Sequence, residues 1–371
     1  MALRVALDAR KLTDFGIGTY IEALVRGLAR RRDVRPVLVV RSEHRARAAA
    51  LAPGAPLVLL DAPGYSVREL LELPVALRRH PVDVVHLPHF VMPPLLPGAT
   101  VVTVHDLIPL FYPPRPRRHL AMWYLRGMVR HAVRRARRVI TVSRTSRRDL
   151  VRFFGDPGER LVVIPNGVAP EFGERPPREE LAELRGRYGL RPPLVLVVAN
   201  DKPHKNVETA LRAFHVAVRR HRIPGQLVLV GGFPPGGGLE ARAVRMGLEG
   251  RVRCLGRVPA RDLRGLYHLA AVLLHVALYE GFGLPVLEAM AAGLPVITSN
   301  LGAMRELGEG VARLVHPLDV AEVAAALERV LVDDPLRQRM VAAGRRRAAE
   351  LTWDRTVEAT VAAYRGAAGE G

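Results

Sequence analysis

The chain has little cysteine, little lysine and no long apolar run. Cys254 is its only cysteine, so an intrachain disulfide and a cluster of thiolate metal ligands are both excluded. No stretch approaches the roughly 18 consecutive apolar residues of a membrane-spanning helix. Residues 1–12 are too charged and too short for a signal peptide. These absences favour a cytoplasmic protein in a reducing compartment.

Acidic residues are scarce in the first half of the chain. Residues 1–170 contain 28 Lys and Arg against 13 Asp and Glu, a difference of +15, whereas the remaining residues contain 28 against 23, a difference of +5. A preference for Arg over Lys also follows from genome composition, so this asymmetry is more informative than the total of +20. It indicates that the first half meets something anionic: a lipid surface, a phosphorylated acceptor or nucleic acid.

The length of 371 residues exceeds the usual size of a single core, so two domains are expected. Short apolar runs alternate with helical segments, a pattern typical of parallel sheets with right-handed crossovers. The segment 171–192 is rich in Pro and charge, lacks an apolar period and is predicted to be a linker. The runs that we interpret as strands are 3–9, 36–40, 56–60, 82–88, 100–106, 139–143 and 161–165 before it, and, after it, a run opening at 193, then 226–232, 270–278 and 295–300.

The most informative stretch is EGFGLPVLEAMAAG at 280–293. It follows the apolar run 270–278 and places Glu280 at the end of a strand, where open α/β sheets bind ligands. A glycine turn then leads into a helix that ends at Gly293, and the free N–H groups at the helix start suit a phosphate or diphosphate. Glu288, about one turn into the helix, is placed to accept hydrogen bonds from ribose hydroxyls. The alternative is that the carboxylates and glycines serve only the bend and the helix.

A second combination of strand, glycine turn and helix opens the chain. The run 3–9 leads to Gly16, Ile17 and Gly18, after which apolar residues recur at helical spacing. We interpret residues 16–18 as the first set of crevice residues. Tight packing of the turn on the sheet is the alternative.

Histidines mark two strand ends in the first half. Pro88 separates His86 from His89 and argues for a loop, and without a third ligand nearby we interpret both as structural or acceptor-lining rather than metal-binding. His105 and Asp106 end the run 100–106 at its carboxyl edge, where chemistry is usually found. A pair that merely caps the strand is the alternative.

Residues 107–148 contain twelve Arg and no acidic residue. Two interpretations are open: a peripheral membrane helix drawn to anionic lipid, or a core-packed helix with a solvated Arg face. Trp123 and Tyr124 lie near the start of this segment. Its apolar stripe consists of Met122, Leu125, Val129, Ala132, Ala136 and Val139, and its basic row of Arg126, Arg130, Arg134 and Arg138.

The string from Glu280 to Glu288 resembles the E-x7-E signature of the retaining GT-B glycosyltransferases of glycosyltransferase family 4. The resemblance covers residues 3–364 and is most specific in the second half. It implies an α/β fold of the GT-B type, in which two doubly wound, Rossmann-like domains face each other across a cleft. The implied domains are an acceptor-binding domain at 1–170 and a nucleotide-sugar donor domain at 193–353, with a last helix at about 354–371 that packs back on the first.

The same resemblance assigns roles in the second half. Glu280 would contact the donor sugar and Glu288 the ribose, and Glu306 matches a family acid near the donor site. Lys205 matches the family segment Pro-Arg-Lys-Asn as the cation that meets the phosphates. His204 stands where that segment has Arg, so the second cation of the clamp has no match.

In the first half, VHDLIPLFYP resembles a segment whose His reaches the donor sugar, which makes His105 a catalytic candidate. Gly16, Ile17 and Gly18 resemble the family's N-terminal glycine loop, which lies opposite the donor phosphates and near the acceptor. Together with Glu280, His105 would therefore stand at the reacting sugar.

The implied reaction is transfer of a hexose from a nucleoside diphosphate sugar to an acceptor hydroxyl with retention at the anomeric carbon. Lys205 and the N–H groups of Phe282, Gly283 and Leu284 would stabilise the departing diphosphate. The chain has no Asp-x-Asp pair, so we expect no metal and no cofactor beyond a GDP- or UDP-linked sugar as co-substrate. The segments HDLIP and NDKPHKN resemble those of bacterial mannosyltransferases and favour GDP-mannose.

The expected setting is glycan, polysaccharide or glycolipid synthesis on a sugar or lipid-linked acceptor, in the cytoplasm or at the inner face of the cell membrane. Two other classes compete with this interpretation. A GT-B relative with epimerase or phosphorylase chemistry is disfavoured by the E-x7-E string. A nucleic-acid-binding protein would fit the charge, but no RNA-binding motif or aromatic platform accompanies it.

Overall fold

The structure, a computed structural model, describes residues 2–14, 16–64, 66–113 and 119–369, and for residues 119–121 it describes the backbone. The chain divides into two compact units. The first consists of residues 1–166 together with 353–371, and the second of residues 167–352. Each unit is built on its own parallel sheet.

The first unit contains seven strands and seven α-helices within the described residues. Its strands are β1 (Leu3–Asp8), β2 (Val34–Val40), β3 (Leu57–Leu59), β4 (Val84–Leu87), β5 (Ala99–Val104), β6 (Arg138–Thr141) and β7 (Leu161–Val163). Its helices are α1 (Ile17–Ala29), α2 (Arg45–Leu51), α3 (Val67–Leu77), α4 (Ile108–Phe111), α5 (His119–Arg135), α6 (Arg144–Phe154) and, at the end of the chain, α15 (Trp353–Ala368).

The order of the first sheet is β3-β2-β1-β4-β5-β6-β7. The chain moves outward from β1 to β3 and then returns to place β4 on the other side of β1. The strand order therefore reverses between β1 and β4. At such a reversal a crevice opens at the carboxyl ends of the two central strands.

Both faces of this sheet are covered, which is why its strands are apolar runs rather than alternating ones. Leu7 packs into one core with Leu24 of α1 and Tyr364 of α15. Its neighbour Ala6 faces the other core, which includes Val129 of α5. Adjacent residues of β1 thus reach opposite layers, as the two-residue period of a strand requires.

Helix α15 belongs to the first unit and packs directly on α1. The contact needs a glycine, because a Cβ at Gly27 would lie 2.4 Å from Cγ2 of Val357. Tyr364 is fully buried, and its hydroxyl is 2.7 Å from Nδ1 of His86. The end of the chain therefore completes the core beneath β4.

The second unit contains six strands and eight α-helices within the described residues. Its strands are β8 (Leu194–Ala199), β9 (Gln226–Gly231), β10 (Val252–Cys254), β11 (Val272–His275), β12 (Val296–Ser299) and β13 (Arg313–Val315). Its helices are α7 (Arg178–Arg187), α8 (Val207–Arg220), α9 (Gly238–Arg245), α10 (Ala260–Leu269), α11 (Leu284–Ala292), α12 (Gly302–Gly308), α13 (Val320–Val332) and α14 (Asp334–Glu350).

The second sheet repeats the plan of the first, with the order β10-β9-β8-β11-β12-β13. Its strand order reverses between β8 and β11. Helices α8 and α13 bury Phe214 and Leu327 in one core with Leu274 of β11. Helix α14 packs on α11, where a Cβ at Gly344 would lie 3.4 Å from Cγ of Met290.

The prediction of a linker at 171–192 is wrong. This segment lies in the second unit and contains α7, whose Leu181 and Leu184 are buried. Leu184 packs on α10 at Gly265, where a Cβ would lie 2.5 Å from Cδ2 of Leu184. Two apolar residues are too few to show a helical period in a Pro- and charge-rich segment. They are nevertheless enough to pack a short helix on its neighbour.

The basic segment 107–148 contains α4, α5, β6 with Arg138, and the start of α6, and residues 114–118 of it lie outside the described residues. Val129, Ala132 and Ala136 are buried in the core, so the apolar stripe packs inward, and Val139 belongs to β6. Trp123 stays 71% exposed. Among the described residues, no helix combines the length and the apolarity that crossing a membrane requires.

Candidate functional site

The loops that follow β8 and β11 meet at the strand-order reversal of the second sheet. After β8 the chain makes a short 3-10 turn, Pro203–Lys205, and enters α8 through Asn206, whose φ is 55°. Asn206 ties the two loops together, because its Nδ2 donates to the carbonyls of Val276, at 2.9 Å, and Pro317, at 2.7 Å. Lys205 therefore lies in this turn, just before α8 begins at Val207.

Glu280 lies in the loop after β11 and is 8% exposed. Its Oε1 accepts hydrogen bonds from Nζ of Lys205 and, at 3.0 Å, from Nε2 of His275. Burial alone would raise the pKa of this carboxyl, but the charge of Lys205 and the hydrogen bond of His275 outweigh it and lower the pKa to about 2. Glu280 is thus a carboxylate at any physiological pH.

The start of α11 faces the same loop. Gly283 has a φ of 105°, a backbone conformation that favours glycine, and a Cβ there would also lie 2.2 Å from Cε of Met304. Pro285 occupies the first turn of α11. Gly293 ends the helix with a φ of 73°, as the sequence predicted. The first N–H groups of a helix have no acceptor within it, so those near Phe282, Gly283 and Leu284 form a donor set for an anion.

Glu288 lies on α11, half-buried, and its Oε2 accepts a hydrogen bond from the hydroxyl of Tyr267 at 2.7 Å. Burial raises the pKa of the Glu288 carboxyl to about 7, against the smaller lowering effect of that hydrogen bond. The two glutamates of the motif therefore differ: one is ionised by its partners and the other titrates near neutrality.

Two further predicted positions have clear locations. His204 is buried, and burial lowers the pKa of its imidazole to about 4, so it supplies no second cation at neutral pH. Glu306 is half-buried on α12, and its backbone carbonyl lies 3.4 Å from Nη1 of Arg347.

A cavity of about 630 Å³ opens beside this site, between the turn after β8 and the start of α9. Its lining includes Lys202, Arg242 and Arg245 together with Asp201 and Glu208. Neither motif glutamate lines it. It therefore adjoins the carboxylate site and is not that site.

The strand-order reversal of the first sheet is filled by a buried ion-pair cluster. Asp8, at the end of β1, accepts from Nε of Arg10 at 2.8 Å and from Nη2 at 2.6 Å. The same Nη2 donates to Glu69 of α3 at 2.7 Å, and Nε2 of His89 lies 3.1 Å from Asp8. Burial would raise the pKa of Asp8, but the charge and hydrogen bonds of Arg10 hold it well below its usual range.

This cluster corrects the sequence argument about metal ligands. His89 does have carboxylates nearby, since ligand atoms of Asp8, Glu69 and His89 all lie within 4.8 Å of one another. The guanidinium of Arg10, however, contacts both carboxylates and already supplies the positive charge that a metal ion would bring. The arrangement is an ion-pair network.

His105 lies directly after β5, and its Nε2 is 3.2 Å from the carbonyl of Pro88. A carbonyl only accepts, so Nε2 carries the proton and Nδ1 is free of one. The edge of the ring meets Tyr20, with centroids 4.8 Å apart. Burial lowers the pKa of His105 to about 4, so the ring is neutral at physiological pH.

The glycine loop of the first unit combines two requirements. Gly16 precedes α1 with a φ of 67°, and Ile17 opens the helix. A Cβ at Gly18 would lie 2.6 Å from the carbonyl oxygen of Leu12, so close packing alone requires a glycine there. The assignment of these residues to the phosphates or the acceptor stays a prediction.

Sequence reasoning missed the partners of the two glutamates. His275 ends β11 and is 3% exposed, and Tyr267 on α10 is fully buried. A histidine inside the apolar run of β11 was a usable signal, because a buried imidazole needs a hydrogen-bond partner. Tyr267 offered none, since its partner lies on another helix.

Comparisons with known protein families and relatives match both units. The family described as "Glycosyl transferases group 1" matches residues 183–347, and that described as "Glycosyltransferase Family 4" matches residues 16–172. O-antigen chain mannosyltransferase B of Escherichia coli is 31% identical over 291 residues, which cover 78% of this chain and 76% of that protein. The MMP alpha-(1->4)-mannosyltransferase of Mycolicibacterium hassiacum is 36% identical over 250 residues, covering 65% and 57%.

Solved structures resemble this one across nearly the full length. Sucrose-phosphate synthase from Thermosynechococcus elongatus superimposes with a TM-score of 0.79 at 22% identity, covering 100% of both chains. Anabaena HepE, solved with UDP and glucose, gives a TM-score of 0.77 at 19% identity, covering 97% of this chain and 98% of that one. The chain therefore belongs to the group 1 glycosyl transferases of glycosyltransferase family 4, and it is a glycosyltransferase with the GT-B fold.

Proposed function

We propose that this glycosyltransferase moves a hexose, with mannose the favoured sugar, from a nucleoside diphosphate sugar to an acceptor hydroxyl with retention at the anomeric carbon. One observation carries the proposal: Lys205, Glu280, the start of α11 and Glu288 stand on loops and a helix that meet at one strand-order reversal. Each supplies what a different part of such a donor needs.

The diphosphate is assigned to Lys205 and the start of α11. Departure of the diphosphate is the difficult step, because negative charge accumulates on it while the sugar becomes cationic. An ammonium and a set of fixed N–H groups stabilise that charge without reorganising at the moment of reaction. Since the chain has no Asp-x-Asp pair, these groups take the place of a divalent metal in the proposal.

The ribose is assigned to Glu288 and the reacting sugar to Glu280, with Glu306 near the same donor. Glu280 is held ionised, so it can accept from sugar hydroxyls and face a cationic sugar. In the first unit we assign His105 to a sugar hydroxyl through its unprotonated Nδ1, and residues 16–18 to the acceptor side.

Mannose as the sugar rests on relatives that bear the name mannosyltransferase, among them an O-antigen chain enzyme. HepE, a fold neighbour, was solved with UDP-glucose, so UDP-linked sugars belong in the same test. By the same reasoning we propose a sugar or lipid-linked acceptor in polysaccharide or glycolipid synthesis.

The deciding experiment is a screen of GDP-mannose, UDP-glucose and related sugar nucleotides for binding and for slow donor hydrolysis, with and without EDTA. We expect one donor to bind and to be hydrolysed at a rate that EDTA leaves unchanged. NMR of the released or transferred sugar should show the donor's anomeric configuration. Inversion, or binding of random RNA in preference to every sugar nucleotide, would refute the proposal.

A second candidate property concerns membranes. The outer side of α5 presents exposed Arg126, Arg130 and Arg134 together with Trp123, on a segment without acidic residues. We propose that this side rests on an anionic lipid surface, mainly through charge, because the apolar stripe of the helix is already buried.

The protein should then sediment with vesicles that contain anionic lipid and be released as salt rises. Changing all three arginines to Glu should abolish this while leaving activity on a soluble acceptor intact. Equal binding to neutral vesicles, or none to anionic ones, would return α5 to a purely structural role.

A further inference from the structure

His275 stands beside the proposed sugar-facing carboxylate and has no role in the chemistry described so far. Its Nε2 and Nζ of Lys205 both donate to the same oxygen, Oε1 of Glu280. The two donors come from opposite sides of the strand-order reversal: His275 ends β11, and Lys205 follows β8. One carboxylate oxygen therefore has two partners of different kinds.

The two partners differ in how firmly they are held. His275 is 3% exposed and pairs in register with Thr298 of β12, whose Oγ1 donates to the His275 carbonyl at 2.8 Å. Lys205 stands on a 3-10 turn, its side chain is 15% exposed, and its charge sits at the end of a flexible four-carbon stem. The ammonium of Lys205 can therefore move without a change in the backbone, whereas the imidazole of His275 is held in place.

A bound diphosphate would compete with Glu280 for Lys205. The ammonium that leaves Glu280 for the phosphates would strip a buried carboxylate of its charged partner. A buried carboxylate without a partner takes up a proton. A protonated Glu280 would donate a hydrogen bond where the sugar site needs an acceptor.

We propose that Lys205 passes from Glu280 to the donor diphosphate when the nucleotide sugar binds, and that His275 is the positioning residue that then holds Glu280 in place as a carboxylate. This inference rests on the proposed function, because it needs a diphosphate at Lys205. His275 touches no reacting atom and acts only through Glu280.

The exchange has a consequence that would not arise if Glu280 and Lys205 bound the donor independently. In Glu280→Gln the ion pair with Lys205 is lost, so the ammonium can bind the phosphates without first leaving a charged partner. GDP or UDP alone, whichever the wild type binds more tightly, should bind Glu280→Gln at least roughly threefold more tightly, the scale of a partly exposed ion pair. Transfer should be lost. Equal or weaker binding of the nucleoside diphosphate would overturn the exchange.

The positioning role is tested with three substitutions of one residue. His275→Leu removes the donor, His275→Gln keeps an N–H within reach of Glu280, and His275→Asn keeps a polar group that is too short. For Leu and Asn we expect kcat to fall about 10–100-fold, as for one hydrogen bond to a charged group, with the dissociation constant of the nucleoside diphosphate within about twofold of wild type. Gln should recover most of the rate.

His221→Leu is the matched control, since it breaks another histidine–glutamate contact of the same unit, His221 with Glu328 at 2.7 Å. It should leave kcat unchanged. If His275→Leu does not fold, the contrast between Gln and Asn decides. Equal rates for Gln and Asn, or a lowered melting temperature with normal kcat, would make His275 structural only. A wild type that turns over no sugar nucleotide would refute the proposed function and this inference together, whereas an active wild type with fully active His275→Leu would refute this inference alone.

Discussion

The two units place similar residues at similar points and use them differently. At the reversal of the first sheet an acid, a cation and a histidine meet as Asp8, Arg10 and His89. At the reversal of the second they meet as Glu280, Lys205 and His275. In both, the acid is buried and its pKa is lowered by the cation against the effect of burial.

The difference lies in the cation. Arg10 binds Asp8 through two nitrogens and reaches Glu69 as well, and its side chain is 5% exposed, so the pair is closed on itself. Lys205 offers one point charge at the edge of its site. A planar guanidinium suits a permanent bidentate contact, and an ammonium suits a contact that is exchanged. The first cluster therefore serves the fold, and we propose that the second serves a ligand.

The largest expected effect comes from removing the two cations in turn. Arg10→Met removes the guanidinium that bridges the buried carboxylates of Asp8 and Glu69 and should lower the free energy of unfolding by about 3–5 kcal/mol. Lys205→Met removes a partly exposed partner while His275 remains, and it should cost about 1 kcal/mol or less. Urea unfolding of both variants measures this contrast. Equal losses would mean that the two clusters have the same structural role.

A slightly smaller effect is expected for His105→Ala, which tests whether a residue of the first unit takes part in the chemical step. His105→Ala should fold normally, bind the free nucleoside diphosphate as well as wild type, and lose about 10²–10³ in kcat, or roughly 3–4 kcal/mol of barrier. In the proposed function, the contact of His105 with the donor sugar would strengthen as the diphosphate departs and would therefore act on the chemical step. Melting temperature and single-turnover rate are measured on one preparation. A destabilised but fully active variant would show that His105 only anchors the loop at Pro88.

A third prediction separates the two glutamates of the second unit. Glu288→Gln should weaken donor binding by roughly 1.5–3 kcal/mol, the range for a lost hydrogen bond to a charged group. Calorimetric titration with the nucleoside diphosphate gives the number. Unchanged affinity would remove Glu288 from the ribose site and leave it a structural partner of Tyr267.

The smallest expected effect is a dependence on pH. Because the pKa of Glu288 is raised to about 7 and the carboxylate is the form that accepts from ribose, affinity should be constant above pH 7. It should fall by at most about tenfold per pH unit below that value. The effect on folding has the opposite sign. Because the pKa of Glu288 is higher in the folded chain than the ordinary 4.5 of a glutamate, this group lowers the free energy of unfolding as the pH rises from 4.5 to about 7.

Glu288→Gln is the control for this dependence, since a neutral amide cannot titrate. Its affinity should be lower but flat between pH 6 and 8, apart from the titration of the phosphates themselves. A variant with the slope of wild type would place the titrating group elsewhere.

Much of this molecule could be predicted from sequence because its signals are local. A strand buried on both faces is an apolar run, and β1, β8 and β11 were found that way. The start of α11 needs a glycine with a positive φ and tolerates a proline, and its end needs another glycine. Gly283, Pro285 and Gly293 therefore predict the bounds of this helix. The motif glutamates have a fixed spacing along the chain. The order of such segments predicted a parallel α/β fold, and the resemblance of the string from Glu280 to Glu288 to the E-x7-E signature predicted the family.

Only the tertiary structure decided which side chains meet. His275 and Lys205 are 70 positions apart in sequence, and they share an oxygen because β8 and β11 are neighbours in the sheet. Arg10 and Glu69 are 59 positions apart and also meet only in the folded chain. The carboxylates of Asp8 and Glu69 near His89 overturned the argument that His89 lacks nearby ligands. The charge states also depend on the tertiary structure. The two glutamates of one motif have pKa values of about 2 and about 7. A pKa depends on burial and on neighbouring groups, which the strand order sets and the local sequence does not.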